Sequence, residues 1–119
     1  MEAKNAKIDS TMLGREDHGI MTCMLFVNYG GACQGFGGYT LDGYDKGLEK
    51  RVGSAYGMEF IIRVLETVGV TRWEELPGKH LRVKADHGKI HSIGNIIEDK
   101  WFAPEPDLSE FIRRENENG

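Results

Sequence analysis

The stretch from Asn28 to Gly43 constrains the fold of this 119-residue chain more than any other, because six of its sixteen residues are glycine. Asn28-Tyr29-Gly30-Gly31 predicts a hairpin turn, since two glycines suit the two-residue turns that match the twist of paired strands. Gly35, Gly37 and Gly38 then fall inside the next predicted strand, Ala32 to Leu41, where glycine marks a bulge, a bend or the close approach of another group. The stretch therefore predicts a hairpin whose second strand is bent or bulged.

A phosphate-binding loop is the functional alternative for these glycines. Such a loop needs glycines that follow a strand and open directly into a helix. Here Gly35-Phe36-Gly37-Gly38 continues into Tyr39-Thr40-Leu41, which is typical of a strand, and no Gly-Lys-Ser/Thr sequence follows. The sequence favours the bulged strand.

Length and composition predict one domain over residues 1–119, with loose ends at 1–6 and 115–119. With 39% hydrophobic and 29% charged residues, such a chain buries a core without disulfides or metals. The net charge of −4 argues against a general binder of phosphate backbones. Neither a signal peptide nor an apolar run long enough to span a membrane is visible, which predicts a cytoplasmic protein with no membrane partner. No cofactor is indicated.

The two cysteines are predicted to be free thiols. If Gly30-Gly31 forms the turn, Cys33 faces Asn28 and Cys23 faces Gly38. The two cysteines then lie roughly 16 Å apart at ~3.3 Å per residue, whereas a disulfide needs Cα atoms within about 7 Å. Free thiols are consistent with a reducing compartment.

Hydrophobic spacing predicts an α+β fold, an antiparallel sheet of about five strands in the order β-β-β-α-β-β-α with one main helix packed on it. Ile20 to Tyr29 is apolar on both faces, which predicts a central strand covered on both sides. The helix is predicted from Ser54 to Val68, with Ser54 as N-cap and Gly69 after its end. Its predicted buried stripe consists of Met58, Ile61, Ile62, Leu65 and Val68.

The remaining elements are assigned from shorter patterns. Asp42 to Gly53 is polar and rich in glycine, which predicts a mobile loop. Trp101-Phe102 is predicted to anchor the chain on the core, and Asp107 to cap a last short helix that runs to Arg114. The other predicted strands are Lys7 to Leu13, Lys79 to Ala85 and Lys89 to Ile97, and a short turn is predicted within Thr71 to Gly78.

Asp-His-Gly occurs twice, as Asp17-His18-Gly19 and as Asp86-His87-Gly88. One interpretation is turn chemistry, because Asp and Gly favour hairpin turns for backbone reasons. The other is a metal-dependent or acid–base site, in which imidazoles are oriented by carboxylates. Its candidate ligands are Asp17, His18, Asp86, His87 and His91. The sequence favours the turns.

A basic strand face is the second chemical feature. His80, Arg82 and Lys84 alternate along one predicted strand, Lys89 follows, and aromatic residues lie nearby in sequence. Basic residues interleaved with aromatics can form a platform for single-stranded nucleic acid. A solvated sheet face explains the same residues and agrees better with the acidic total.

Four segments together resemble a family of small uncharacterised proteins from bacteriophages and prophages, and the similarity spans roughly Lys7 to Phe102. They are Leu13-Gly14-Arg15-Glu16-Asp17-His18-Gly19, Gln34-Gly35-Phe36-Gly37-Gly38-Tyr39, Gly57-Met58-Glu59-Phe60 and Trp73-Glu74-Glu75-Leu76-Pro77-Gly78-Lys79. The family has no established activity, so the resemblance implies no catalytic residues. A second resemblance, over Val64 to Val83, is to a segment of phage single-strand-DNA-binding and recombination proteins, from which this chain departs in its short length and acidic charge.

These patterns favour a non-enzymatic phage accessory protein that binds a host protein, for example to inhibit a defence or nucleic-acid-processing complex. A single-stranded nucleic-acid-binding module and a small metal-dependent enzyme are the alternatives. Since functional contacts concentrate on loops held by a rigid scaffold, we expect the interaction surface on the Gly-rich strand and the following loop. An exposed sheet edge would also suit a homodimer. The expected contact residues are Tyr29, Gln34, Phe36, Tyr39, Tyr44 and Asp45.

Overall fold

The computed structural model describes the backbone of residues 1–118 and the side chains of residues 1–113. Its fold is α+β, as predicted: a six-stranded antiparallel sheet, a separate two-stranded hairpin and one long helix. The strands are β1 Ala3–Arg15, β2 Met21–Tyr29, β3 Ala32–Thr40, β4 Asp42–Asp45, β5 Lys50–Gly53, β6 His80–Ala85, β7 Ile90–Gly94 and β8 Trp101–Phe102. The helices are α1 Ala55–Val68, a 3₁₀ turn Trp73–Glu75, α2 Pro104–Asp107 and α3 Ser109–Asn118.

The large sheet has the strand order β3-β2-β1-β6-β7-β8, and β1 joins its two halves. The first residues of β1, Ala3 to Lys7, pair with β6, and the residues from Lys7 to Arg15 pair with β2. The predicted loose lead-in at 1–6 is therefore wrong, because Ala3 to Ala6 complete the sheet. Beyond the reach of β6, the distal part of β1 continues with β2 and β3 as a three-stranded extension, which we call the arm.

The Gly-rich stretch forms the predicted hairpin. Cys33 pairs with Asn28 across the Gly30-Gly31 turn, which confirms the register inferred from the sequence. The register shifts between Thr22 and Met24, and Gly37 (φ 117°) and Gly38 (φ 78°) have positive φ there. The bulged strand is thus confirmed, and both cysteines are free thiols.

Helix α1 covers one face of the sheet, which we call the inner face. Ser54 caps its N-terminus by accepting a hydrogen bond from the Gly57 amide, and Gly69 ends it in the left-handed conformation, both as predicted. Phe60 packs against Phe36 and Phe102, with ring centroids 5.9 and 5.5 Å away. This aromatic cluster fixes the helix on the sheet, and the aliphatic core residues of β1, β2, β6 and β7 surround it.

Two sequence-based assignments are wrong in instructive ways. The segment from 42 to 53 is the β4–β5 hairpin, stabilised by its own ladder of paired residues. Strand β2 is covered on the inner face only, since Phe26 on its other face is 39% exposed. Phe102 anchors the chain on the core as predicted, and Trp101-Phe102 also forms a sixth strand of the sheet against β7.

The C-terminal helical region begins earlier than predicted. Pro104 starts α2, and the carboxylate of Asp107 accepts a hydrogen bond from the Ala103 amide, so Asp107 caps α2 from its last residue. The expected frayed end at 115–119 stays a prediction, because residue 119 and the side chains from 114 onward lie outside the described residues. No described helix is long and apolar enough to cross a membrane.

Candidate binding surfaces

Helix α1 carries an apolar stripe that the sheet does not cover. Its buried residues include Phe60 and Val64, whereas Met58 is 59% exposed and Ile62 is also exposed. Ile61 and Leu65 are half-buried at the edge of the core. The prediction that this stripe faces the sheet is therefore correct for Val68 and partly correct for Ile61 and Leu65, which pack against the core. It is wrong for Met58 and Ile62. At about 100° per residue, the four residues other than Val68 lie on the neighbouring side of the helix.

The arm extends the same apolar surface. Thr11 on β1 accepts a hydrogen bond from the Trp73 indole (3.1 Å), and Arg15 lines a groove with Met58 and Ile61. Leu13 lies between these two positions on the same face of the strand, and it is exposed. We call Leu13, Met58, Ile61, Ile62 and Leu65 the helix–arm surface.

The groove beside this surface is bounded by the Asp42–Arg51 ion pair. The Arg51 guanidinium donates to the Asp42 carboxylate (2.9 Å), and the same oxygen accepts from the Met21 amide (3.3 Å). The hydrogen bond from Arg51 lowers the pKa of the buried Asp42. The groove holds ≈ 210 Å³, below the about 300–1,000 Å³ of small-molecule sites. Its size suits a side chain of a protein partner.

The expected contact residues fall into two groups. Phe36 is 1% exposed, because the two-residue period of β3 turns it inward opposite Leu25, so its assignment to the interaction surface is wrong. Tyr29 is also buried, and its hydroxyl bonds Gln34. Tyr39 packs against the ring of Phe60 and is half-buried. Burial thus excludes Phe36 from direct contact with a partner and leaves Tyr29 little accessible surface.

Tyr44 and Asp45 lie on the β4–β5 hairpin. Tyr44 is 61% exposed, which fits a contact residue. The Asp45 carboxylate accepts from the Leu48 amide (3.0 Å) and so shapes the tip of the hairpin. Of the six expected residues, Tyr44 presents the most accessible side chain.

The two Asp-His-Gly turns lie at opposite ends of β1. Arg15 ends this strand just before Asp17-His18-Gly19, whereas Ala3 at its start pairs with Lys84, two residues before Asp86. The 13-residue strand separates them by roughly 40 Å at ~3.3 Å per residue. The proposed joint site of Asp17, His18, Asp86, His87 and His91 is therefore wrong. Within the described residues, no group of three potential ligands is placed to hold a metal ion.

Asp86 organises its own turn. Its carboxylate accepts from the Gly88 and Lys89 amides (2.8 and 3.0 Å) and bonds the His91 imidazole (2.7 Å). The contact with His91 and the two amides hold the pKa of Asp86 well below its ordinary value. These contacts support the turn interpretation of this motif.

The turn at 86–88 meets the start of β3. The Gln34 amide donates to the carbonyl oxygens of Asp86 and His87 (3.2 and 3.3 Å). Residues from the expected interaction set and from the metal set thereby line one surface pocket of ≈ 480 Å³. The hydrogen bonds of Gln34 join the edge strand β3 to the turn between β6 and β7.

The predicted basic face is divided by the structure. His80, Arg82 and Lys84 lie on the sheet face opposite the helix, which we call the outer face. Lys89 does not join them: its ammonium pairs with Glu105 (2.7 Å), which raises the pKa of Lys89, and this correction removes it from the nucleic-acid set. The turn at 86–88 redirects the chain before Lys89.

Two relevant residues were missed by the sequence patterns. The apolar pattern of β2 predicts that Phe26 is covered, and no pattern singles out Asn95. The Asn95 amide donates to the last carbonyls of α1, at Thr67 and Val68 (3.0 and 3.2 Å), and ties the helix to the β7–β8 turn. The polar residues that alternate with Phe26 in β2, Thr22 and Asn28, were the available signal for an open face.

Comparisons of the chain with protein-family models, with curated protein sequences and with solved structures give no match. The assignment of function therefore rests on the surfaces described above.

Proposed function

We propose that this chain is a non-enzymatic phage or prophage accessory protein that binds a host protein through the helix–arm surface. The observation that carries the proposal is the second apolar stripe of α1. Its Met58 and Ile62 stay exposed and its Ile61 and Leu65 stay half-buried, although the helix already buries a full core face. Contiguous exposed apolar residues mark interaction sites on soluble proteins. The phage origin rests on the sequence resemblance.

The surroundings of the stripe fit a protein partner. Met58 and Ile61 lead into the groove, whose volume accommodates a side chain, while Arg15 and the Asp42–Arg51 pair provide a polar rim. An apolar centre with a polar rim is the usual organisation of a protein interface. The proposed partner belongs to a defence or nucleic-acid-processing complex, and the free thiols fit action in the reducing cytoplasm.

A capture experiment tests the helix–arm surface. Tagged wild-type protein is incubated with nuclease-treated host lysate beside the double variant Met58→Ser/Ile62→Ser, and Glu66→Ser on the same helix serves as the control. Each partner is identified by mass spectrometry, purified and titrated. We expect the double variant to bind at least about tenfold more weakly, because two apolar side chains each contribute roughly 1 kcal/mol or more when buried, while Glu66→Ser binds normally.

Two results would contradict the proposal. The first is equal binding of the purified partner by wild type and the double variant. The second is a homodimer, seen by light scattering, that Met58→Ser/Ile62→Ser dissociates, because the stripe would then be a self-interface.

A further inference from the structure

The outer face of the sheet carries a row of basic side chains. Lys7 on β1 pairs with His80 on β6, and Arg82 and Lys84 follow on the same side of β6. Within the described residues, Lys7 and Lys84 form no ion pair. The described lysines and arginines that do pair with carboxylates lie outside this set; they are Arg51, Arg63, Arg72, Lys89, Lys100 and Arg113. The described strands of this face carry one acidic residue, Asp9, which is the extra residue at the bulge of β1. Just before β8, the Asp99 carboxylate accepts a hydrogen bond from the Trp101 indole (3.1 Å).

Trp101 holds two of these cations in place. Its ring lies directly on Gly94, where an added Cβ would come within 2.7 Å of the ring carbons. The Arg82 guanidinium and the Lys84 ammonium lie over this ring, 4.8 and 4.4 Å from its centroid. Arg82 also donates to the carbonyl oxygens of Asn95 and Glu98 (2.7 and 2.9 Å). Both charges are therefore pre-positioned on the sheet.

Phe26 provides an accessible ring on the same face. It lies on β2, is 39% exposed, and pairs with Gly35, which adds no side chain beside it. Four strand spacings separate β2 from β8, about 19 Å at ~4.8 Å per spacing. The cations of β1 and β6 lie between the exposed ring and Trp101.

We propose that the outer sheet face binds single-stranded nucleic acid, with Lys7, Arg82 and Lys84 at its phosphates and Phe26 stacked on a base. Proteins bind single-stranded nucleic acid by combining exposed aromatic rings with a row of basic side chains. The bases stack on the rings, and the regularly spaced phosphates contact the basic side chains. A duplex keeps its bases stacked internally and would use the cations alone. This function uses the face opposite the helix–arm surface, so each proposal can fail without the other.

The test measures fluorescence anisotropy of labelled single-stranded DNA and RNA of about 12 nucleotides at about 50 mM salt and above. Phe26→Ala removes the stacking ring, and Lys7→Ala/Lys84→Ala removes two phosphate contacts. Tyr44→Ala and Lys50→Ala are matched controls, an exposed aromatic and an exposed lysine on the β4–β5 hairpin. Inorganic polyphosphate is the competitor that offers charge without bases.

We expect Phe26→Ala to weaken oligonucleotide binding about tenfold and to leave polyphosphate binding unchanged. The lysine variant should lower the slope of log affinity against log salt by about 1.4, since each single-strand phosphate contact contributes about 0.7. A preference for DNA or RNA would identify the natural ligand within the proposal. Absence of binding at low salt, an unchanged affinity of Phe26→Ala, or equal effects of the control variants would overturn it.

Discussion

The inner face of the sheet buries the rings of Phe36 and Phe102 under helix α1, whereas the outer face leaves Phe26 accessible and covers Gly94 with Trp101. Both faces therefore use aromatic side chains, but they use glycine differently. On the inner side, Gly57 lets the helix backbone approach the backbone of Leu41. On the outer side, Gly94 and Gly35 make room for side chains only. The inner layer is thus held by a contact between backbones, and the outer layer by contacts of side chains.

Gly57→Ala should have the largest effect on this contrast. An added Cβ would lie 2.1 Å from the Leu41 carbonyl oxygen, which also accepts from the amide and hydroxyl of Ser54 (3.2 and 3.1 Å). Alanine favours the helix by about 1 kcal/mol, yet neither backbone can move without breaking the cap. We expect a net loss of about 3 kcal/mol in the free energy of unfolding, measured by urea denaturation.

Gly53→Ala is the matched control, because an added Cβ at Gly53 meets no atom within 4 Å. If Gly57→Ala unfolds at the same urea concentration as wild type, the rigid contact between α1 and Leu41 does not fix the inner layer.

Gly94→Ala should have an intermediate effect, on the outer layer. Its Cβ would approach the Trp101 ring to 2.7 Å, but a side chain can rotate where a backbone cannot. Overpacking of this kind costs about 1–3 kcal/mol. The displaced ring would also release Arg82 and Lys84, so near-ultraviolet circular dichroism should change together with the urea midpoint. An unaltered spectrum would show that the ring does not depend on this glycine.

The sequence predicted the hairpin register because the Gly30-Gly31 turn and the two-residue period of strands are local properties. It predicted both caps of α1 for the same reason. It failed on the stripe of α1 because Phe60 and Val64 define a second apolar side, and only the position of the sheet decides which side is buried. It favoured turns over the alternative metal site for the two Asp-His-Gly motifs, but the large separation that rules this site out depends on the pairing of β1 with β6, which is not a local property.

Asp42→Asn should have a smaller effect that depends on pH. Arg51 lowers the pKa of Asp42, so this carboxylate stabilises the fold fully above its ordinary value of about 3.9 and loses that contribution as the pH falls through the lowered pKa. We expect the variant to be less stable than wild type by about 1 kcal/mol at neutral pH. The difference should shrink below about pH 4. A constant difference across this range would mean that the charge of Asp42 does not contribute.

Gly35→Ala should have the smallest effect and separates two kinds of glycine within one strand. Its Cβ would meet the Met24 sulfur at 2.7 Å, but this is the end of a flexible side chain that can turn aside. We expect a change within about 0.5 kcal/mol in urea denaturation. Gly37→Ala is the contrasting variant, because Gly37 has positive φ and its Cβ would lie 2.5 Å from the Cys23 carbonyl oxygen. Equal stability of the two variants would mean that the bulge tolerates side chains. A loss of stability confined to Gly37→Ala would mean that the bulge requires glycine at position 37 only. The role of Gly35 would then be to keep the surface beside Phe26 open.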